Sequence, residues 1–152
     1  MKYIETPREI QLANCLRKNL EKGFPLYHPD HRVWAGEIKE AKQESIMYRT
    51  TKSNMDFEQT LLELNILYSE ERPVGWIGLI NLHESKIKDG SKSGRKLIEC
   101  AESFFKEQGC QRVELTASGT NKGIWEHLGY IIINSNAPGE LGKMGRRKEL
   151  IL

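Results

Sequence analysis

Between an apolar run that ends at Leu82 and an amphipathic segment that begins at Gly94 lies the stretch Asp89-Gly90-Ser91-Lys92-Ser93-Gly94-Arg95-Lys96. A strand, a Gly/Ser/Lys-rich loop and a helix N-terminus in that order aim several unpaired backbone N–H groups in one direction, and the helix dipole adds partial positive charge there. The chemistry this suits is anion binding, with phosphate the natural ligand. Spacing removes two phosphate loops. A nucleotide-triphosphatase loop starting at Gly90 needs its second glycine at position 95, which is Arg95. The dinucleotide fingerprint needs three glycines as G-x-G-x-x-G, and only Gly90 and Gly94 are present. Glu63 and Asn65, polar on one alternate face of an otherwise apolar strand, are further cleft candidates. His28, Asp30 and His31 have neither metal-site nor triad spacing and read as loop and cap residues.

A third pattern fits the loop together with the helix, strand and short helix after it. The segment GRKLIECAESFFKEQGCQRVELTASGTNKGIWEHLGY, Gly94 to Tyr130, resembles the core of the GNAT superfamily of acetyl-CoA-dependent N-acetyltransferases. That family has a loop of Arg or Gln, two residues, Gly, one residue, then Gly or Ala, followed by a long helix, a strand, and a short helix ending in Leu-Gly-Phe/Tyr. The most specific match is the tail, Gln108 to Leu115 and then Leu128-Gly129-Tyr130. The loop departs from the pattern, with Asp89 in place of the first Arg/Gln and Lys92 in place of the first Gly.

The resemblance implies a single domain over residues 1–152, an α/β (α+β) fold with a mixed, mostly antiparallel central sheet and helices on both faces, and acetyl-CoA as cofactor. It implies that backbone N–H groups of Ser91, Lys92, Ser93, Gly94 and Arg95 bind the pyrophosphate and that the backbone near Leu82 contacts the pantetheine arm. Asn121 stands where an Asn commonly contacts the cofactor; a helix N-cap is an equally good reading of it. For the general base the resemblance points to His83 and Glu84, since a neutral imidazole or a water-relayed carboxylate can take an amine proton. Both also read as ordinary strand-end loop residues, and many members of the family need only water. Trp125 occupies the place where many members carry a Tyr that protonates the thiolate, and an indole N–H donates a hydrogen bond without being a practical acid.

The acceptor implied is a primary amine, on a small molecule such as an aminoglycoside or polyamine, or on a protein as a lysine side chain or N-terminus. A second class stays open: a protein of the same fold that transfers poorly and engages a protein or nucleic-acid partner. The departures at Asp89 and Lys92, the short helix after Asn121 and Trp125 point that way, and the basic run Lys143, Arg146, Arg147 and Lys148 would supply its contact surface.

At 152 residues, 38% hydrophobic and 29% charged, the composition is that of an ordinary soluble globule with one sizeable core. A net charge of +2 argues neither for nor against nucleic acid. Cys15, Cys100 and Cys110 are odd in number and form no C-x-x-C, so neither a disulfide framework nor a zinc knuckle is indicated and a reducing cytoplasm is the natural home. The N-terminus has no signal-like apolar run, and no stretch approaches the roughly 20 residues needed to span a bilayer. A homodimer is left open.

These residues need elements to position them. A short strand is expected at Lys2–Glu5, then a helix capped by Thr6-Pro7-Arg8-Glu9 and stopped at Gly23-Phe24-Pro25. The spacing of Trp34, Ile38 and Ala41 predicts a second helix over Asp30–Lys42. Period-two patterns predict strands over 45–52, 57–68 and 73–82, the last two joined by the polar turn Ser69-Glu70-Glu71-Arg72. Gly94–Lys106 reads as a helix ended by Gly109, 112–118 as a strand, and 121–127 as a short helix. Strands over 130–134 and 148–152 close the chain, joined by the loop 135–145.

Overall fold

The structure, a computed structural model, describes residues 6–38, 42–50, 59–68, 70–80, 93–118, 124–134 and 143–150. The expected strand at Lys2–Glu5 lies outside them. Helix α1 (Pro7–Gly23) starts as its sequence dictates: Thr6 Oγ1 accepts from the Glu9 amide at 3.2 Å, the Glu9 carboxylate accepts from the Thr6 amide at 2.9 Å, and proline stands at the first position. Its buried residues, Leu12, Ala13, Leu16 and Leu20, recur on one face.

The expected helix over Asp30–Lys42 is corrected to a strand, β1 (Arg32–Ile38), which pairs antiparallel with β2 (Gln43–Thr50). Val33 and Ala35 are buried while Trp34 lies on the other face, its ring 5.1 Å from each of the Arg32 and Arg49 guanidinium carbons. Period-two burial, a β-branched and an aromatic residue, and Gly36, a poor helix former, outweigh the helical spacing of three side chains. Strands β3 (Gln59–Leu67) and β4 (Val74–Ile80) complete an antiparallel meander.

Helix α2 (Ser93–Glu107) then crosses back to β5 (Arg112–Ser118), which pairs parallel with β4. A four-residue helix α3 (Ile124–His127) leads to β6 (Ile131–Asn134) and β7 (Lys143–Glu149). The last strand therefore begins at Lys143, earlier than the expected 148, because it pairs along all of β5 from Arg112↔Glu149 to Ser118↔Lys143. The seven strands among the described residues run in the order β1-β2-β3-β4-β5-β7-β6, mixed and mostly antiparallel, as the sequence led one to expect.

Both glycines with positive φ among the described residues serve helix C-termini. Gly109 (φ +80°) ends α2 with Gly109 N–H to Lys106 O and Cys110 N–H to Phe105 O, both at 3.0 Å. Gly129 (φ +94°) ends α3 the same way, with Gly129 N–H to Glu126 O at 3.0 Å and Tyr130 N–H to Trp125 O at 2.9 Å. The Leu128-Gly129-Tyr130 tail is thus a helix stop whose flanking aromatics, Trp125 and Tyr130, meet edge to face at 5.2 Å.

Helices α1 and α2 share one face of the sheet, over a core that includes Ile46, Tyr48, Leu62, Leu64, Ile66, Val113 and Leu115. They lie side by side: Cys100 Sγ donates to Asn19 O at 3.3 Å, and Cys15 Sγ to Glu107 Oε2 at 2.8 Å. Where α2 meets β4, the Phe105 ring packs against Gly75, the second residue of the strand. The opposite face carries Trp34, Met47, Glu63 and Leu79 in one cross-strand row, and Ser45, Asn65, Trp76 and Glu114 in the next.

Candidate active site

Sheet pairing fixes where a cleft forms. Strands β4 and β5 are partners at Gly75↔Val113, Trp76↔Glu114 and Ile77↔Leu115, and no further. Beyond that point β4 runs on to Ile80 against β3, and β5 runs on to Ser118 against β7. Two neighbouring strands whose outer partners are kept while their mutual pairing stops must part, so the sheet opens at their C-terminal ends. Burial follows the opening along β4: Val74, Gly75 and Ile77 are buried, whereas Gly78 and Leu79 are exposed.

A bulge accompanies the parting. Leu64 partners Ile77 and Glu63 partners Leu79, which leaves Gly78 as the extra residue. A methyl group built on Gly78 would stand 3.1 Å from Asn65 Nδ2 and 3.4 Å from Glu63 Cδ, so these two side chains close against the strand where it bends. Asn65 is 5% exposed, and its Oδ1 accepts from Gln43 Nε2 at 2.7 Å and Ser45 Oγ at 2.6 Å. With its oxygen held by both donors, the amide turns its NH₂ toward Gly78.

Chain direction brings the anion-binding end to the same place. Because β4 and β5 are parallel and α2 connects them, α2 runs antiparallel to both; its C-terminal Phe105 packs on Gly75 at the start of β4. The N-terminus of α2 therefore stands at the end where the strands part, the location at which open α/β sheets place ligands. Its first turn has no acidic residue, Gly94 is buried, and Arg95 and Lys96 come next. Arg95 Nε lies 3.5 Å from Glu99 one turn on. Dipole, first-turn N–H groups and cations all favour an anion there.

Of the residues singled out from the sequence, Ser93, Gly94 and Arg95 stand in this first turn. Leu82, His83, Glu84, Asp89, Ser91, Lys92 and Asn121 lie outside the described residues. Trp125 is 3% exposed and belongs to the core, and its indole nitrogen has no hydrogen-bond partner among the described residues. Tyr130 is buried beside it: its hydroxyl donates to Glu102 at 2.7 Å, Lys148 Nζ bonds the same carboxylate at 3.0 Å, and burial with Glu102 beside it pushes the Tyr130 hydroxyl far above the usual phenol range.

The basic run near the end of the chain is occupied within the fold. Arg146 is 2% exposed and paired with Glu126, Lys148 is paired with Glu102, and Arg147 Nε is 3.4 Å from Glu149. Three of the four cations that would have made a contact surface thus have a carboxylate partner within their own chain, loosely and at the surface for Arg147. Among the described residues no group of His, Cys, Asp and Glu could hold a metal ion, and no helix is long and apolar enough to cross a membrane. His28 and His31 are loop residues as expected, with His31 Nδ1 2.7 Å from the Tyr48 hydroxyl.

The bulge at Gly78 and the Gln43 and Ser45 hydrogen bonds that hold Asn65 beside it escaped sequence reasoning. The available signal was a glycine inside an apolar strand, which marks a bulge or a close approach.

No protein-family model and no curated protein matches the chain by sequence. Solved structures do match in shape. The NatC complex bound to Gag peptide and CoA is 16% identical, covering 70% of this chain and 71% of its own, with a TM-score of 0.51. A protein from Klebsiella pneumoniae assigned as an acyl-CoA N-acyltransferase is 16% identical over 93% of this chain and 89% of its own, with a TM-score of 0.51. An acetyltransferase from Bacillus cereus is 17% identical over 99% of both chains, with a TM-score of 0.50. Together with the parted parallel strands, the bulge and the element order, these likenesses establish that the chain has the GNAT N-acetyltransferase fold.

Proposed function

We propose that this chain transfers an acetyl group from acetyl-CoA to a primary amine. The observation that carries the reading is the parting of β4 and β5 after Ile77 and Leu115, at the end of the sheet where α2 begins. The residues present suit the cofactor: a helix N-terminus with a buried glycine and no first-turn carboxylate for the pyrophosphate, and an opened strand edge for an extended arm. In this reading backbone N–H groups from Ser91 to Arg95 hold the pyrophosphate, the backbone near Leu82 holds the arm, and Asn121 adds a contact. Acetyl-CoA supplies an activated acyl thioester. On the β5 side, the main chain of Gly78–Ile80 has no strand partner among the described residues, so its polar groups can orient what enters the opening. His83 or Glu84 takes the proton from the amine, directly or through water.

One observation favours a second reading, a fold-mate that binds CoA and a protein partner without efficient transfer. The side chain at the position of the family's thiolate acid, Trp125, is closed into the core, so proton return falls to water or another donor. Burial of Arg146 and the pairing of Arg147 and Lys148 weigh against nucleic acid as that partner.

Melting in the presence of CoA or acetyl-CoA tests the cofactor. A ligand that binds only the folded state stabilises it by about 2.7 kcal/mol at a hundredfold excess over Kd. Gly94→Glu, which adds bulk and a negative charge at the helix start, abolishes that shift while leaving far-UV circular dichroism unchanged. No shift for the wild type at millimolar CoA refutes the assignment. Free-thiol release over a panel of aminoglycosides, polyamines and peptides then separates the two readings: turnover supports transfer, and binding without turnover supports the second.

A further inference from the structure

We propose that Glu63 and Asn65 form the acceptor's recognition site, and that it takes an aliphatic primary ammonium with a neutral oxygen, carbonyl or hydroxyl, two atoms away. This rests on the acetyl-transfer reading and names its substrate class. Both side chains close on the Gly78 bulge, on the sheet face opposite α1 and α2, at the edge of the opening between β4 and β5.

Their chemistry is complementary. Glu63 is half-buried and its carboxylate has no hydrogen-bond or ion-pair partner among the described residues, so it is a charge in want of a cation. Partial burial strengthens that attraction relative to bulk water. Asn65 is 95% buried, and Gln43 and Ser45 occupy its oxygen, which leaves the NH₂ as a donor with no partner among the described residues. An acceptor of hydrogen bonds beside a donor of hydrogen bonds matches an ammonium next to a neutral oxygen. A free carboxylate in place of that oxygen is repelled by Glu63.

Cross-strand partners set the rest of the ligand. Met47 and Leu79 lie directly on either side of Glu63 in the row, and Leu79 is 38% exposed, giving the carboxylate apolar shoulders suited to an aliphatic substituent. Gly78 is the residue that keeps the space: any larger side chain there meets Asn65 and Glu63.

The test uses titration calorimetry on the CoA-loaded and free protein with four probes: leucinamide, leucinol, isoamylamine and leucine. We expect leucinamide and leucinol to bind, isoamylamine to bind about tenfold more weakly because Asn65 is left unpaired, and leucine to bind more weakly still. Stronger binding of leucinamide than leucinol assigns the oxygen as a carbonyl, and the reverse assigns a hydroxyl. Glu63→Gln, which keeps shape and removes charge, lowers leucinamide affinity at least tenfold while CoA affinity and melting temperature hold; Glu63→Asp recovers part of the loss. Wild-type protein that binds CoA but none of the amines overturns the inference and leaves acetyl transfer standing, as does equal affinity in Glu63→Gln. Amine binding that survives without any CoA binding sinks the transfer reading and spares the recognition site.

Discussion

Replacing Gly75 by alanine is the most direct test of how this fold positions its site. A Cβ at 75 would lie 2.6 Å from Cδ1 and Cγ of Phe105 and 2.8 Å from Cδ2. Ordinary carbon contacts lie near 3.5–4.0 Å, so the ring or the strand must move by about 1 Å. Phe105 is fully buried between α2 and the sheet and has nowhere to retreat. The cost belongs at the upper end of the overpacking range, about 3 kcal/mol, and about 6–12 °C in Tm for a chain of this length. Phe105→Ala alone leaves a cavity and costs about 3–5 kcal/mol. In that background the clash is absent, and Gly75→Ala becomes neutral or stabilising by about 0.5 kcal/mol through the unfolded chain. Urea melts of the two single variants and the double variant close the cycle, with an expected coupling of about 3 kcal/mol. A single Gly75→Ala within about 0.5 kcal/mol of wild type, or additive effects, refutes the claim that this contact sets the height of α2 over β4.

Individual contacts give further expected outcomes. Burial pushes the Cys110 thiol up to about 12 and the Cys100 thiol up to about 11, and burial with the Glu107 carboxylate beside it pushes Cys15 up to about 11. Native protein at pH 8 therefore resists iodoacetamide at all three cysteines, and urea-unfolded protein is alkylated at all three; rapid native labelling refutes this. Because the folded state holds these protons above the unfolded value near 9, their contribution is whole below pH 9 and is lost as pH rises through about 11 for Cys15 and Cys100 and about 12 for Cys110, so thermal melts should show stability falling over that window. Thr6→Ala removes half of the capping box and costs about 1 kcal/mol in a urea melt. Tyr130→Phe leaves Glu102 to Lys148 alone and costs about 1–1.5 kcal/mol, which the same melts will check. Trp125→Tyr costs about 1–2 kcal/mol of packing, and turnover that rises in this variant shows that the position can reach the reacting atoms after all.

How far the sequence reveals this molecule depends on the range over which each signal acts. The capping box at Thr6 and Glu9, the glycine stops at 109 and 129 and the apolar spacing of α2 are local, and each is found where the residues place it. The segment 30–42 misleads because Trp34 and Ile38 have helical spacing, while the competing evidence, pairing with β2 and the contacts of Trp34 with the Arg32 and Arg49 guanidiniums, exists only once the next strand folds back on it. The opening is non-local altogether: nothing in Gly75–Ile80 or Arg112–Ser118 alone says that their pairing stops at Ile77 and Leu115. Glu63 and Asn65 stand out in sequence as polar residues in an apolar strand, yet only register puts them against Gly78.

Arg146 shows how a sequence pattern can change meaning once folded. Four cations between 143 and 148 read as a surface for an acidic partner, but Arg146 is 2% exposed, bound to Glu126, and its Nε has no partner among the described residues. An incompletely satisfied buried cation contributes little net stability, because desolvation offsets its attraction to the carboxylate. Arg146→Met should therefore change stability by less than about 1 kcal/mol, whereas Glu126→Gln, which strands the buried charge, should cost about 3 kcal/mol. The order of the two effects is the test: a contact-surface cation would show no such order, with both changes silent in urea melts and Arg146→Met felt only in binding to an acidic partner. If Glu126→Gln is silent, Arg146 is reaching solvent or another partner, and the basic segment returns as a candidate docking surface.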